Sequence, residues 1–212
     1  MRPLVVKLGG STSRAAELDI WIAALAGSTT PLVVVPGGGP FADMVREAQP
    51  RLRFSDSAAH KMAILAMDQF GQVILDRHSR FVAARSIADI EAALVDGQVP
   101  VWLPSDLAFS APEIPQSWDV TSDSLAAWLA GRLGVETLLL IKQTDDFSTD
   151  DDVAGLSQRG VVDTALPSIL PKTVALRLAG PCDAAAAGPD LASSRLPGTL
   201  VALASGQLRR TA

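Results

Sequence analysis

Lys7 stands in an apolar run, Pro3-Leu4-Val5-Val6-Lys7-Leu8, that ends in Gly9-Gly10-Ser11. A second run, Leu32-Val33-Val34-Val35, ends in Pro36-Gly37-Gly38-Gly39-Pro40. Glycine lets main-chain N–H groups close on an anion, and the N-terminus of a following helix adds a favourable dipole. A lysine on such a strand is costly to bury unless its ammonium meets a counter-charge at the strand end, which a phosphate supplies. Either glycine cluster alone reads as a tight strand-to-helix turn. Both together, with Lys7 and Ser11, describe two facing phosphate cradles between which a phosphoryl group is passed.

The cradles are of an uncommon kind. No G-x-x-x-x-G-K-[ST] run is present, which excludes a Walker-type loop, and Gly37-Gly38-Gly39-Pro40-Phe41-Ala42 lacks the third glycine of a dinucleotide fingerprint. Phosphoryl transfer needs positive charge near the moving group, with a metal bridging the donor phosphates. Lys7 supplies one charge. Lys142, directly after Leu138-Leu139-Leu140-Ile141, is placed to emerge on the same rim, and Lys172 between Pro171 and Thr173 is a third candidate. Asp123 opens an apolar, small-residue helix. It either complements the helix dipole or faces the rim to orient Lys7 or a magnesium-bound phosphate, and the second reading is preferred because Asp119 and Thr121 already offer caps. His60 and His78 are the only histidines, and there is no G-x-S-x-G elbow, so a nucleophilic triad is not expected. His60, in Ala59-His60-Lys61-Met62, reads equally as a half-buried structural residue or a ligand contact, and the methionines read as core.

The elements that must position these residues are legible in the apolar pattern. Strand-length runs recur at 4–8, 32–35, 99–103, 137–141, 174–178 and 200–203, mostly continuous, as expected of strands covered on both faces. Helical patterns lie between them at 15–26, 41–48, 57–76, 87–95 and 122–133, the last with Thr121 or Asp119 as its cap. The alanines from 184 begin another helix. Alternation of this kind predicts an α/β fold with a mainly parallel sheet between helical layers and ligands at the carboxyl ends of the strands. Segments 108–118 and 144–160 read as loops. The run Asp150-Asp151-Asp152 reads as a solvated stretch, since it has neither a cage geometry nor a calcium-loop pattern.

At 212 residues, 48% apolar and 19% charged, with a net charge of −5, the chain is expected to form a single domain, residues 1–212, with no nucleic-acid partner. Cys182 is the only cysteine, so neither an internal disulfide nor a thiolate zinc cluster can form. The N-terminus runs directly into a strand, and no apolar run reaches membrane-spanning length. The expected location is the cytoplasm.

The motifs Val6-Lys7-Leu8-Gly9-Gly10-Ser11, Val35-Pro36-Gly37-Gly38-Gly39, Thr121-Ser122-Asp123-Ser124 and Leu140-Ile141-Lys142 resemble the amino acid kinase superfamily over most of the chain. The resemblance implies a three-layer αβα sandwich, in-line transfer from ATP with Mg2+, and a homodimer or higher homo-oligomer. By this resemblance Lys7, Gly9, Gly10 and Ser11 would hold the transferring phosphates, Gly37, Gly38 and Gly39 would face the acceptor, and Asp123 would organise the lysines. Lys142 and Asp145 would border the nucleotide. Where relatives carry Lys-x-Asp-Gly, this chain reads Lys142-Gln143-Thr144-Asp145-Asp146, without the glycine.

Within that superfamily, Gly38-Gly39-Pro40-Phe41-Ala42-Asp43, the segment from Ala59 to Gly71 and Trp118-Asp119-Val120-Thr121-Ser122-Asp123 are similar to the branch of small kinases in methanofuran biosynthesis. These phosphorylate 5-(aminomethyl)-3-furanmethanol phosphate to its diphosphate. A phosphate monoester, with a second ionisation near pKa ~6, needs no general base, in keeping with the shortage of histidine. Thr121 and Ser122 are then candidate hydroxyl donors to the acceptor phosphate, with His60 as a further substrate contact. The alternatives are a uridylate-type nucleoside monophosphate kinase and a non-catalytic storage protein on the same fold.

Overall fold

The computed structural model describes residues 3–203. Seven strands form one sheet: β1 Leu4–Leu8, β2 Leu32–Pro36, β3 Phe81–Ala84, β4 Val99–Trp102, β5 Thr137–Ile141, β6 Ala175–Ala179 and β7 Thr199–Val201, in the spatial order β3-β4-β2-β1-β5-β6-β7. Every pairing is parallel except that of β6 with the edge strand β7. The helices between them are α1 Glu17–Ala26, α2 Gly39–Leu52, α3 Asp56–Leu75, α4 Ile87–Val95, α5 Ser105–Phe109, α6 Ser122–Leu133, α7 Val153–Gln158, α8 Leu166–Ile169 and α9 Ala184–Ala192. No helix among the described residues is long and apolar enough to cross a membrane.

Side chains alternate across the sheet, so each strand feeds two cores. Val5, Val33, Val35, Leu138 and Leu140 pack with Leu125, Ala126 and Leu129 of α6 and with α7 and α8. Leu4, Val6, Leu8, Leu139 and Ile141 pack on the opposite side with Trp21, Ile22 and Leu25 of α1 and with Leu191 of α9. The strands β1, β2 and β4 are buried at every position, which is why their sequences run apolar without alternation. The result is an α/β three-layer αβα sandwich, as expected from the alternation of elements.

Local chemistry sets most boundaries. Ser55 accepts from Ala58 N–H at the start of α3, and Ser86 and Asp89 form a reciprocal capping box at α4. Gly134, at φ +60°, ends α6. Several expectations are corrected. The turn after Gly9 is a short 3-10 segment, Gly10–Arg14, and α1 begins only at Glu17. The segment read as a loop at 144–160 contains α7, capped by the Asp152 side chain accepting from Gly155 N–H at 2.7 Å, and Asp151 is held by Arg159 at 2.8 Å, so this acidic run is partly structural. The loop expected at 108–118 starts within α5, and β3 lies in a stretch read as neither strand nor helix.

Candidate active site

β1 lies between β2 and β5, so the glycine turns after β1 and β2 and the residue after β5 meet on one rim. This is a topological switch point, since the chain leaves β1 toward β2 and returns on its other side at β5. The two turns touch through their backbones. A Cβ at Gly10 would overlap the backbone nitrogen of Gly39, and one at Gly37 would overlap that of Gly10. Gly37 N–H donates to the Leu8 carbonyl at 2.8 Å, and Gly39 sits at φ +55° as α2 begins. The glycines are thus required by the closeness of two backbones.

Strand parity brings the charges together. Lys7 shares the β1 face of Val5, and Lys142 continues the face of Leu138 and Leu140 beyond the end of β5, so both reach toward α6. Asp123, in the first turn of α6, stands between them. Its Oδ2 accepts from the Lys142 ammonium at 2.6 Å, and its Oδ1 lies 2.9 Å from the Lys7 ammonium in an ion pair outside hydrogen-bond alignment. Asp123 is 1% exposed and Lys7 5%. Burial pushes the Asp123 carboxyl upward, but Lys142 and Lys7 outweigh it and hold the group well below the usual carboxylate range. Burial, joined by the charge of Lys142, lowers the Lys7 ammonium, while Asp123 pulls it back. The cluster thus sets two lysine side chains on one carboxylate, and the Lys7 Nζ lies 3.6 Å from where a Cβ of Gly9 would stand. Lys172, the other candidate for the second cation, is exposed and takes no part in the cluster.

A cleft of about 250 Å³ opens beside the cradles, lined by Gly10, Ser11, Gly38, Gly39, His60, Thr121 and Ser122, among others. Its outer end holds residues not anticipated from the sequence. Arg14 donates to Asp43 at 3.0 Å, Arg46 lies 3.5 Å from the same carboxylate, and the Arg46 guanidinium stacks 4.5 Å from the Trp118 ring centroid. The Trp118 indole N–H is fixed on Gln49 at 2.7 Å. Arginines separated from each other by α1, β2 and the turn after it carry no local signature, so only the assembled fold places them together.

His60 faces this cleft from α3, and its Nδ1 pairs with the Ser117 carbonyl at 3.1 Å. Burial keeps the imidazole pKa low against the pull of the Ser117 and Val120 backbone, so the ring is a neutral brace for the segment leading into α6. Asp145 is apart from the cleft on the β6 side, where it is exposed and accepts from Cys182 N–H at 3.2 Å.

The expected caps of α6 are corrected. Thr121 occupies the N-cap position without any side-chain bond into its own helix. The cap comes from Asp163, a residue the sequence reading missed, which accepts from Thr121 N–H at 2.8 Å and Ser124 N–H at 2.9 Å. The Thr121 hydroxyl also donates to Asp163, at 2.6 Å, so its proton is already committed, while Ser122 beside it lines the cleft.

The two lysine ammoniums already engage both oxygens of Asp123, which leaves that carboxylate unsuited as a magnesium ligand. Among the described residues no group of three or more histidine, cysteine, aspartate or glutamate side chains is placed to hold a metal ion.

A model of the amino acid kinase family matches residues 64–154. The (5-(aminomethyl)furan-3-yl)methyl phosphate kinase of Methanocaldococcus jannaschii is 30% identical over 143 residues, covering 66% of this chain and 66% of that protein, just under two thirds of its length. A uridylate kinase structure from Archaeoglobus fulgidus superposes with a TM-score of 0.69 at 16% identity, covering 94% of this chain and 100% of that one. An isopentenyl phosphate kinase structure gives 0.58 at 19% identity, with coverages of 93% and 99%. At such identities the two structures speak to architecture alone. The likeness in sequence therefore runs to the amino acid kinase family over residues 64–154 and to the Methanocaldococcus jannaschii kinase over 143 residues, and the solved structures share the fold.

Proposed function

We propose that the chain is an ATP-dependent kinase that passes the γ-phosphoryl group to a small phosphate monoester, 5-(aminomethyl)-3-furanmethanol phosphate, forming the diphosphate. The observation that carries the reading is Asp123 set between Lys7 and Lys142, beneath two glycine turns in backbone contact. Positioning and positive charge are most of what phosphoryl transfer asks of a protein. Lys7 and Lys142 oppose the negative charge of the oxygens of the moving group, and Asp123 keeps two like charges side by side. The turns after β1 and β2 hold donor and acceptor phosphates at adjacent positions, with magnesium arriving on the nucleotide.

Two features support a phosphate acceptor. The cleft is lined by Arg14 and Arg46 against the single carboxylate of Asp43, an excess of positive charge that suits an anionic ligand, and its histidine is a neutral brace in place of a base, which a monoester already ionised near neutral pH does not need. The named acceptor follows the relation to the methanogen kinase. A storage role on the same fold is disfavoured, because storage has no use for a lysine pair bridged by a buried carboxylate.

The test is incubation of the purified protein with Mg·ATP and, separately, the aminomethylfuran phosphate, UMP, isopentenyl phosphate, acetylglutamate and carbamate, following ADP and the phosphorylated product. Diphosphate from the furan compound is the expected result. Turnover of another acceptor alone would keep the kinase and replace its substrate, and no turnover with any would sink the proposal.

A further inference from the structure

We propose that Asp163 is a positioning residue of the transfer centre, holding the Thr121–Ser124 turn in the arrangement that places the Asp123 carboxylate between Lys7 and Lys142. The inference rests on the reading of that cluster as the transfer centre.

Asp163 lies between α7 and α8. Its own carbonyl accepts from Ser157 Oγ at 3.2 Å and from Leu166 N–H at 3.1 Å, so its backbone is fixed by both short helices. Its side chain then reaches to the start of α6. One carboxylate oxygen takes the amides of Thr121 and Ser124, and the other takes the Thr121 hydroxyl. Asp123 is enclosed between the two amides so held. Its main chain cannot rotate without breaking one of them, and its side chain therefore leaves the helix in a fixed direction.

A helix start that needed only a cap has a cheaper solution at hand. The Thr121 hydroxyl in the N-cap position would accept from its own first turn, a local bond worth about 1 kcal/mol. Instead the hydroxyl is turned away, and a half-buried carboxylate is brought in from a distant segment, where the charge of Asp123 acts against its own. Burial and the Asp123 charge both raise the Asp163 pKa, so this arrangement carries a cost that a cap alone does not explain. The charged and titratable groups acting on Asp163 are Asp123 and Lys7. Placement of Asp123 accounts for the expense: a displacement of about 1 Å at a reacting centre lowers rates on the order of 100-fold.

The test compares Asp163→Ala with Asp163→Asn. The asparagine can reproduce every bond, its amide oxygen accepting from Thr121 and Ser124 N–H while its NH2 donates to the Thr121 hydroxyl. The alanine removes all three. With the acceptor that the wild type turns over, Asp163→Ala is expected to lower kcat on the order of 100-fold with the KM for ATP and for the acceptor near wild type, and Asp163→Asn to recover most of the loss. A wild-type kcat in the alanine variant, or an asparagine variant as slow as the alanine, overturns the proposal. If the alanine variant does not fold, Thr121→Val removes one bond and is expected to lower kcat several-fold, and an unchanged kcat overturns the proposal in the same way. A crystal structure of Asp163→Ala reads the geometry without turnover, which separates this inference from the kinase reading. Movement of Asp123 out of contact with Lys7 or Lys142 supports it, and an Asp123 still paired with both lysines rejects it.

Discussion

Lys7 is the residue on which the chemistry depends most. Lys7→Ala is expected to reduce turnover by at least the 10²–10³-fold typical of a lost electrostatic stabiliser, while the chain still folds, since Asp123 keeps Lys142 as a partner; steady-state kinetics with circular dichroism checks both. The ammonium of Lys7 is held below its solution value by burial and by Lys142, with Asp123 opposing. If the charged form is the working one, kcat falls on the alkaline side below the ~10.4 of a solvated lysine. Asp123→Asn removes the charge that retains the proton, so the alkaline limb should move to lower pH, and a limb that does not move would detach Asp123 from Lys7. The residue chemistry was only partly legible in the sequence. Lys7, Asp123 and Lys142 carried visible signals, and the choice of Lys142 over Lys172 was available from parity, since 142 continues the face of 138 and 140 just beyond the end of β5. Asp163 had no such signal, because the cap it supplies belongs to a helix far earlier in the chain.

Among the elements, the contact between the turns after β1 and β2 is the most exacting. Gly37→Ala would force a methyl group against the Gly10 backbone nitrogen, and overpacking of this kind costs roughly 1–3 kcal/mol. Because the displaced atoms are the cradles themselves, kcat should fall together with the melting temperature. Ser86→Ala provides the contrast. It removes half of the capping box of α4, costs about 1 kcal/mol, and should lower the melting temperature with kcat unchanged. A Gly37→Ala variant that behaves like Ser86→Ala would show that the two turns need not touch for transfer. The central strands were readable because burial on both faces makes them continuously apolar. β3 was not, because a four-residue edge strand with the half-exposed Val82 and exposed Ala83 leaves too short an apolar pattern.

At the scale of the molecule, the cleft runs from the glycine turns to the exposed cluster of Arg14, Asp43 and Arg46 beside Trp118. Arg46→Ala is expected to raise the KM for the acceptor while leaving that for ATP unchanged, and equal effects on both would place Arg46 outside the acceptor site. The sheet order has a consequence of a different kind. β1 ends up at the centre of the sheet, yet its neighbour β5 is made only after β2, β3 and β4. While the chain is being synthesised, one side of Leu4–Leu8 is an open, apolar edge with unpaired backbone groups, the sort of surface on which chains join one another. A nascent chain that stalls before Thr137 exposes this edge, and Lys7 is the one charged residue of its five-residue strand.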